Sequence, residues 1–171
     1  MRKLIVTIAV AAAAAPAAAL AQTTPPTPNP SQQCQAQRTA MGRTAFAQLY
    51  GTNANRSNAF GKCVSKIARA QRAEHSNAVS ACRAERSADA TAFANKFGTN
   101  GNKRNAFGKC VSQKARAAAQ ARQTATIAAA RACRAERASL GATAFANKFG
   151  TNRNKRNAFG KCVSQKAAQA G

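Results

Sequence analysis

The feature that most constrains this chain is that it spells one block three times. TAFAQLYGTNANRSNAFGKCVSK begins at Thr44, TAFANKFGTNGNKRNAFGKCVSQ at Thr91 and TAFANKFGTNRNKRNAFGKCVSQ at Thr143. Recurrence at about 50 residues marks an array of like supersecondary units. Every block carries one cysteine and follows another, so Cys34 goes with Cys63, Cys82 with Cys110 and Cys133 with Cys162, at separations of 29, 28 and 29. Six cysteines permit about 15 pairings. If each unit is self-contained, those three pairs are the bridges, and each closes a loop contributing roughly 3–4 kcal/mol by the chain-entropy estimate.

Within a block the pattern reads helix, turn, helix. Phe93 and Phe97 lie four apart on one helical face, as do Phe46 with Tyr50 and Phe145 with Phe149. Gly98 follows as a left-handed cap. Asn58, Asn105 and Asn157 stand where a side-chain oxygen caps the next helix, whose Phe60, Phe107 and Phe159 face Val64, Val111 and Val163. Cys82 precedes Thr91 by nine residues, whereas the other two units have ten, and one missing residue turns a continuous helix by about 100°. Either the first helix breaks near Gly42, Asp89 and Gly141, or the Asn-rich turn runs back along it.

The expected fold is therefore all-α and elongated: three small disulfide-stapled helix-turn-helix repeats, 34–63, 82–110 and 133–171, joined by Ala/Arg-rich helical spacers at 64–81 and 111–132. One large core is not expected, because Trp is absent and the 45% hydrophobic content is mostly Ala. Residues 1–21, with two cations, an apolar run and Ala19-Leu20-Ala21, read as a signal peptide; 22–33, with Pro25, Pro26, Pro28 and Pro30, reads as a disordered tether. No transmembrane segment is expected after cleavage. Export to a secreted or envelope location also favours disulfides.

The string NKRNAFGKCVS behind an Ala-rich leader resembles a group of uncharacterised exported repeat proteins of actinobacterial type. That group has no assigned activity, so the resemblance implies no catalytic residues or ligands. Unit one departs most from the pattern, with Leu49-Tyr50 and Ala54-Asn55-Arg56-Ser57 where the others have Lys-Phe and more charge.

Charge is the main functional signal. Against 27 Lys and Arg stand only Glu74, Glu85, Asp89 and Glu136, a formal net charge of +23. Such an excess attracts polyanions. The candidate anion-binding residues are Arg56, Lys62, Lys103, Arg104, Lys109, Lys155, Arg156 and Lys161, gathered at the turn and the start of the following helix. Calcium is disfavoured, since the GTNxNxxN turns carry cations where calcium loops need carboxylates. No catalytic or metal-binding set is expected: His75 is the only histidine, no acid recurs in all three units, and no CxxC occurs. The expectation is a non-enzymatic protein without a cofactor, whose partners are anionic polysaccharide, wall polymer or an anionic lipid surface. Extracellular nucleic-acid binding and an inert spacer role are the alternatives.

Overall fold

The computed structural model describes residues 28–170. The leader at 1–21 and the first part of the tether lie outside the described residues. The elements are α1 Pro30–Met41, α2 Arg43–Tyr50, α3 Ala59–Ala88, α4 Ala90–Phe97, α5 Ala106–Leu140, α6 Ala142–Phe149 and α7 Ala158–Gln169, with no strand among the described residues. The all-α expectation holds.

Helix α1 takes over the end of the expected tether. Pro30 occupies the first helical position, where its missing N–H is no loss, and Asn29 and Gln32 bond each other's backbone N–H at 2.8 and 3.0 Å. Of the two geometries open from the sequence, the first helix breaks. Gly42 and Gly141 sit at φ 81° and 79°, a conformation that favours glycine, between α1 and α2 and between α5 and α6. Unit two lacks that residue, and Asp89 makes the break with extended backbone while its carboxylate accepts from Ala92 N–H at 2.8 Å. The break lets each cysteine reach its partner. Cys34–Cys63, Cys82–Cys110 and Cys133–Cys162 are all bonded and fully buried.

Two turn assignments are corrected. Gly51, Gly98 and Gly150 end their helices in extended rather than left-handed backbone. Glycine is needed there for space: a Cβ on Gly98 would lie 2.6 Å from Ala94 O and 2.7 Å from the Lys103 side chain. The left-handed residues are instead Arg56, Lys103 and Lys155, at φ 55–58°. Asn58, Asn105 and Asn157 do not cap the next helix with their side chains. Each grips the start of its own turn. The Asn105 Oδ1 accepts from Thr99 N–H at 3.0 Å while its amide donates to Thr99 Oγ1 at 2.6 Å, and Asn58 with Thr52 and Asn157 with Thr151 repeat the pattern. A two-pronged amide bond fixes a tight loop better than one cap bond does.

The spacers do not string three separate beads. Helices α3 and α5 run unbroken through 64–81 and 111–132 and lie antiparallel against each other. Ile67 clusters with Ala129 and Ala130, Glu74 binds Arg122 at 2.6 Å, and Cys82 bridges Cys110. Ala78 and Ala119 are buried at the same level of the pair, so small side chains let the two backbones approach. At about 1.5 Å per residue the 35-residue α5 extends about 52 Å, which carries unit three back onto unit one.

Consequently there are two cores. One joins units one and three through Cys34, Phe46, Tyr50, Cys63 and Ile67 on one side and Cys133, Phe145, Phe149, Phe159, Cys162 and Val163 on the other. The second belongs to unit two alone, around Cys82, Phe93, Phe97, Cys110 and Val111. The aromatic pairs four apart do meet, with ring centroids 4.9–5.0 Å apart in each unit.

The departures of unit one are explained by this pairing. In unit two Glu85 accepts from Lys96 and Lys114, and in unit three Glu136 accepts from Lys148 and Lys166. The equivalent positions in unit one are Gln37, Leu49 and Ile67, so a carboxylate with two lysines has become an amide with two aliphatics. Gln37 is fully covered and accepts from Tyr50 Oη at 2.5 Å. Burial pushes the Tyr50 hydroxyl pKa up to about 12, with Arg122 acting against it. Charged groups left there would be desolvated under α5 and α7.

Candidate anion-binding surfaces

Each of the three turns is built by its own cation. Lys103 Nζ donates to Gly98 O at 3.1 Å and Lys155 Nζ to Gly150 O at 3.0 Å, while the Arg56 guanidinium donates to Gln48 O at 2.9 Å and more weakly to Ala47 O and Gly51 O. These side chains close the carbonyl ends of α4, α6 and α2, where a helix carries partial negative charge. Three expected anion ligands are thus engaged by the fold itself. The Asn55, Asn102 and Asn154 oxygens accept from the backbone N–H two residues on, at 3.1–3.2 Å, which makes them loop-builders as well.

The remaining candidates separate into two surfaces. In unit two Arg104 and Lys109 border an open groove with Thr99, Ser112 and Arg116. In units one and three, Arg156 and Lys161 face Arg56 and Lys66 across a cleft between the two turns. Lys62 lines neither and stands exposed on α3. Lys66 was not singled out by the sequence, although it lies one helical turn beyond Lys62; its ammonium sits 5.8 Å from the Tyr50 ring centre.

The two turns are tied to each other at the rim of the cleft by a reciprocal exchange. Arg56 Nη2 donates to Arg156 O at 2.9 Å, and Arg156 Nη2 donates to Ala54 O at 2.7 Å. Arg137 adds a bond to Gln48 Oε1 at 3.0 Å and Arg134 one to Met41 O at 3.1 Å. In units one and two the arginine four past the first cysteine covers a phenylalanine, Arg38 over Phe60 and Arg86 over Phe107. In unit three that arginine is Arg137, which reaches unit one instead, and Phe159 is buried. Burial holds the Arg56 pKa below its usual value, and the Arg156 charge lowers it further.

No family model matches this chain, and no curated protein or solved structure is significantly similar to it. Function therefore has to be argued from the surfaces. Among the described residues no three His, Cys, Asp or Glu side chains gather as a metal site, and no helix is long and apolar enough to cross a membrane.

All four Asp and Glu side chains are engaged away from both basic surfaces. Glu74 binds Arg122, Glu85 and Glu136 each bind two lysines, and Asp89 caps α4. The Arg104, Lys109 and Arg116 groove and the Arg56, Lys66, Arg156 and Lys161 cleft therefore carry charge with no acidic partner. What such an arrangement does chemically is hold an oxyanion: guanidinium and ammonium groups offer only donors.

Proposed function

We propose that this is a non-enzymatic protein that acts outside the cytoplasm and binds anionic polymers or surfaces: wall polymer, acidic polysaccharide or anionic lipid. The single observation that carries this reading is the disposition of charge. Every Asp and Glu side chain is consumed inside a unit or along the α3/α5 pair, while the cations at the turns at both ends of that pair have no such partner. Two basic surfaces on one rigid pair of helices also favour a multivalent partner over a small ion.

Extracellular nucleic-acid binding through base stacking is less favoured by the aromatics. None is exposed, and the half-covered Phe60 and Phe107 lie beneath Arg38 and Arg86, leaving no ring free to stack on a base. The test is a salt series on the chain without its leader, with heparin, a teichoic-acid-type polymer, anionic vesicles and duplex DNA at matched ionic strength. Binding to the non-nucleic polyanions that weakens steeply as salt rises supports the proposal. Indifference to all of them at low salt refutes it and leaves an inert spacer role; a strong preference for DNA replaces it with the nucleic-acid reading.

A further inference from the structure

We infer that the cleft in which Arg56 and Lys66 of unit one face Arg156 and Lys161 of unit three is a single composite site for a sulfate or phosphate ester borne on a hydroxylated backbone. The inference rests on the polyanion reading and sharpens it: three near-identical blocks make one such cleft, and not three copies of one site.

Four observations converge on it. The cleft encloses about 480 Å³, room for a substituted sugar or polyol unit rather than a bare ion. Its charge comes from four cations on four elements, the two turns, α3 and α7, and no carboxylate lines it. The rim bonds use one N–H of Arg156, leaving most of its fork unspent, and position it opposite Arg56. The Arg156 charge bears on the Arg56 guanidinium across the rim, with two ammoniums on the same walls, and a tetrahedral ester oxyanion offsets that like charge while accepting from several donors at once. The Asn154 amide and Ser164 hydroxyl on the same walls can bond the ligand's backbone hydroxyls.

Unit two cannot build the same cleft. Its groove has the counterparts of Arg156 and Lys161 in Arg104 and Lys109, but no opposing unit. Nor can a second copy of the chain supply one in the same manner. The unit-one role requires Leu49 and Ile67, and unit two has Lys96 and Lys114 at those positions.

The experiment is calorimetric titration of the intact, oxidised chain with three oligomers of matched length at low salt. They are a heparin-derived tetrasaccharide, a glycerol-phosphate oligomer and a hyaluronan fragment whose only charges are carboxylates. Expected is one dominant site per chain for the sulfated or the phosphorylated oligomer, at least fivefold tighter than for hyaluronan; whichever of the two binds more tightly identifies the source of the ester. Arg156→Ser, which installs the residue unit one has at Ser57, should weaken that site about tenfold, whereas Arg104→Ser in unit two should change it less than twofold. Lys161→Ala, whose side chain makes no bond within the fold, provides the same comparison should Arg156→Ser misfold. Three equal sites, equal affinity for hyaluronan, or equal effects of the unit-two and unit-three substitutions overturn the composite cleft while leaving general polyanion binding intact. Absence of binding by the wild-type chain to every polyanion overturns both.

Discussion

Replacing Ile67 by Lys tests the pairing of units one and three where it is least tolerant of charge. Lys is the residue that units two and three carry at this position, so the substitution asks whether unit one is interchangeable with its siblings. Ile67 is 1% exposed in the shared core. Losing its burial removes roughly 2–3 kcal/mol of apolar transfer free energy. The ammonium finds Gln37 where its siblings find Glu85 and Glu136, and the charged side chains that line the same pocket are the cations Lys66 and Arg122. An uncompensated buried charge adds several kcal/mol, offset in part as the flexible stem turns its tip toward water. The net expectation is a loss of about 3–5 kcal/mol, a large share of the roughly 5–15 kcal/mol that holds a domain of this size. Urea unfolding of the oxidised protein, followed by far-ultraviolet circular dichroism, measures it, with Ile67→Met, expected below about 1.5 kcal/mol, as the volume-conserving control. A loss under about 1 kcal/mol for Ile67→Lys, with unchanged denaturant slope, would refute the shared core.

Three further outcomes follow from particular residues. The hydrogen bond from Lys96, aided by Lys114, holds Glu85 below the ordinary carboxylate pKa, and Lys148 with Lys166 does the same for Glu136. Their stabilisation is thus present above the unfolded value near 4.5 and fades as pH falls through the lower folded one; the Glu85→Gln, Glu136→Gln double variant should flatten that acid limb in a pH series of melting temperatures. Gly98→Ala should destabilise unit two by about 1–3 kcal/mol through overpacking against Lys103, whereas Gly108→Ala, whose Cβ meets nothing within 4 Å, should leave stability unchanged or raise it by up to about 1 kcal/mol in the same denaturant assay. Replacing Cys82 and Cys110 by Ser opens a 28-residue loop, expected to remove about 3.5 kcal/mol from unit two while amide exchange in the shared core of units one and three stays slow.

The local grammar of the fold was readable from the residues. Phenylalanines four apart, alanine-rich connectors and cysteines at matched spacing specify helices and in-unit bridges, because each depends on neighbours close in the chain. The odd nine-residue spacing of unit two argued against one continuous helix but left open whether the helix broke near Asp89 or the turn ran back; the structure shows the break. What was not legible was the return of unit three onto unit one, which rests on contacts 100 residues apart such as Arg56 with Arg156. The signal was nevertheless present: Gln37, Leu49 and Ile67 depart together from Glu, Lys and Lys, and a concerted loss of charge marks a covered face. The turn-building bonds of Lys103 and Lys155 were not legible either, because left-handed turn residues that fold back on a helix end look, in sequence, like any other exposed cation.

The antiparallel α3/α5 pair gives this array a closed end and an open end. In a solenoid every module is bounded by two equivalent neighbours, so copies can be added anywhere. Here the first module differs at Gln37, Leu49 and Ile67 and receives the last, so the modules are not interchangeable. The far tip, around Cys82 and Cys110, keeps a core of its own, so the three modules occupy three different environments despite their near-identical blocks.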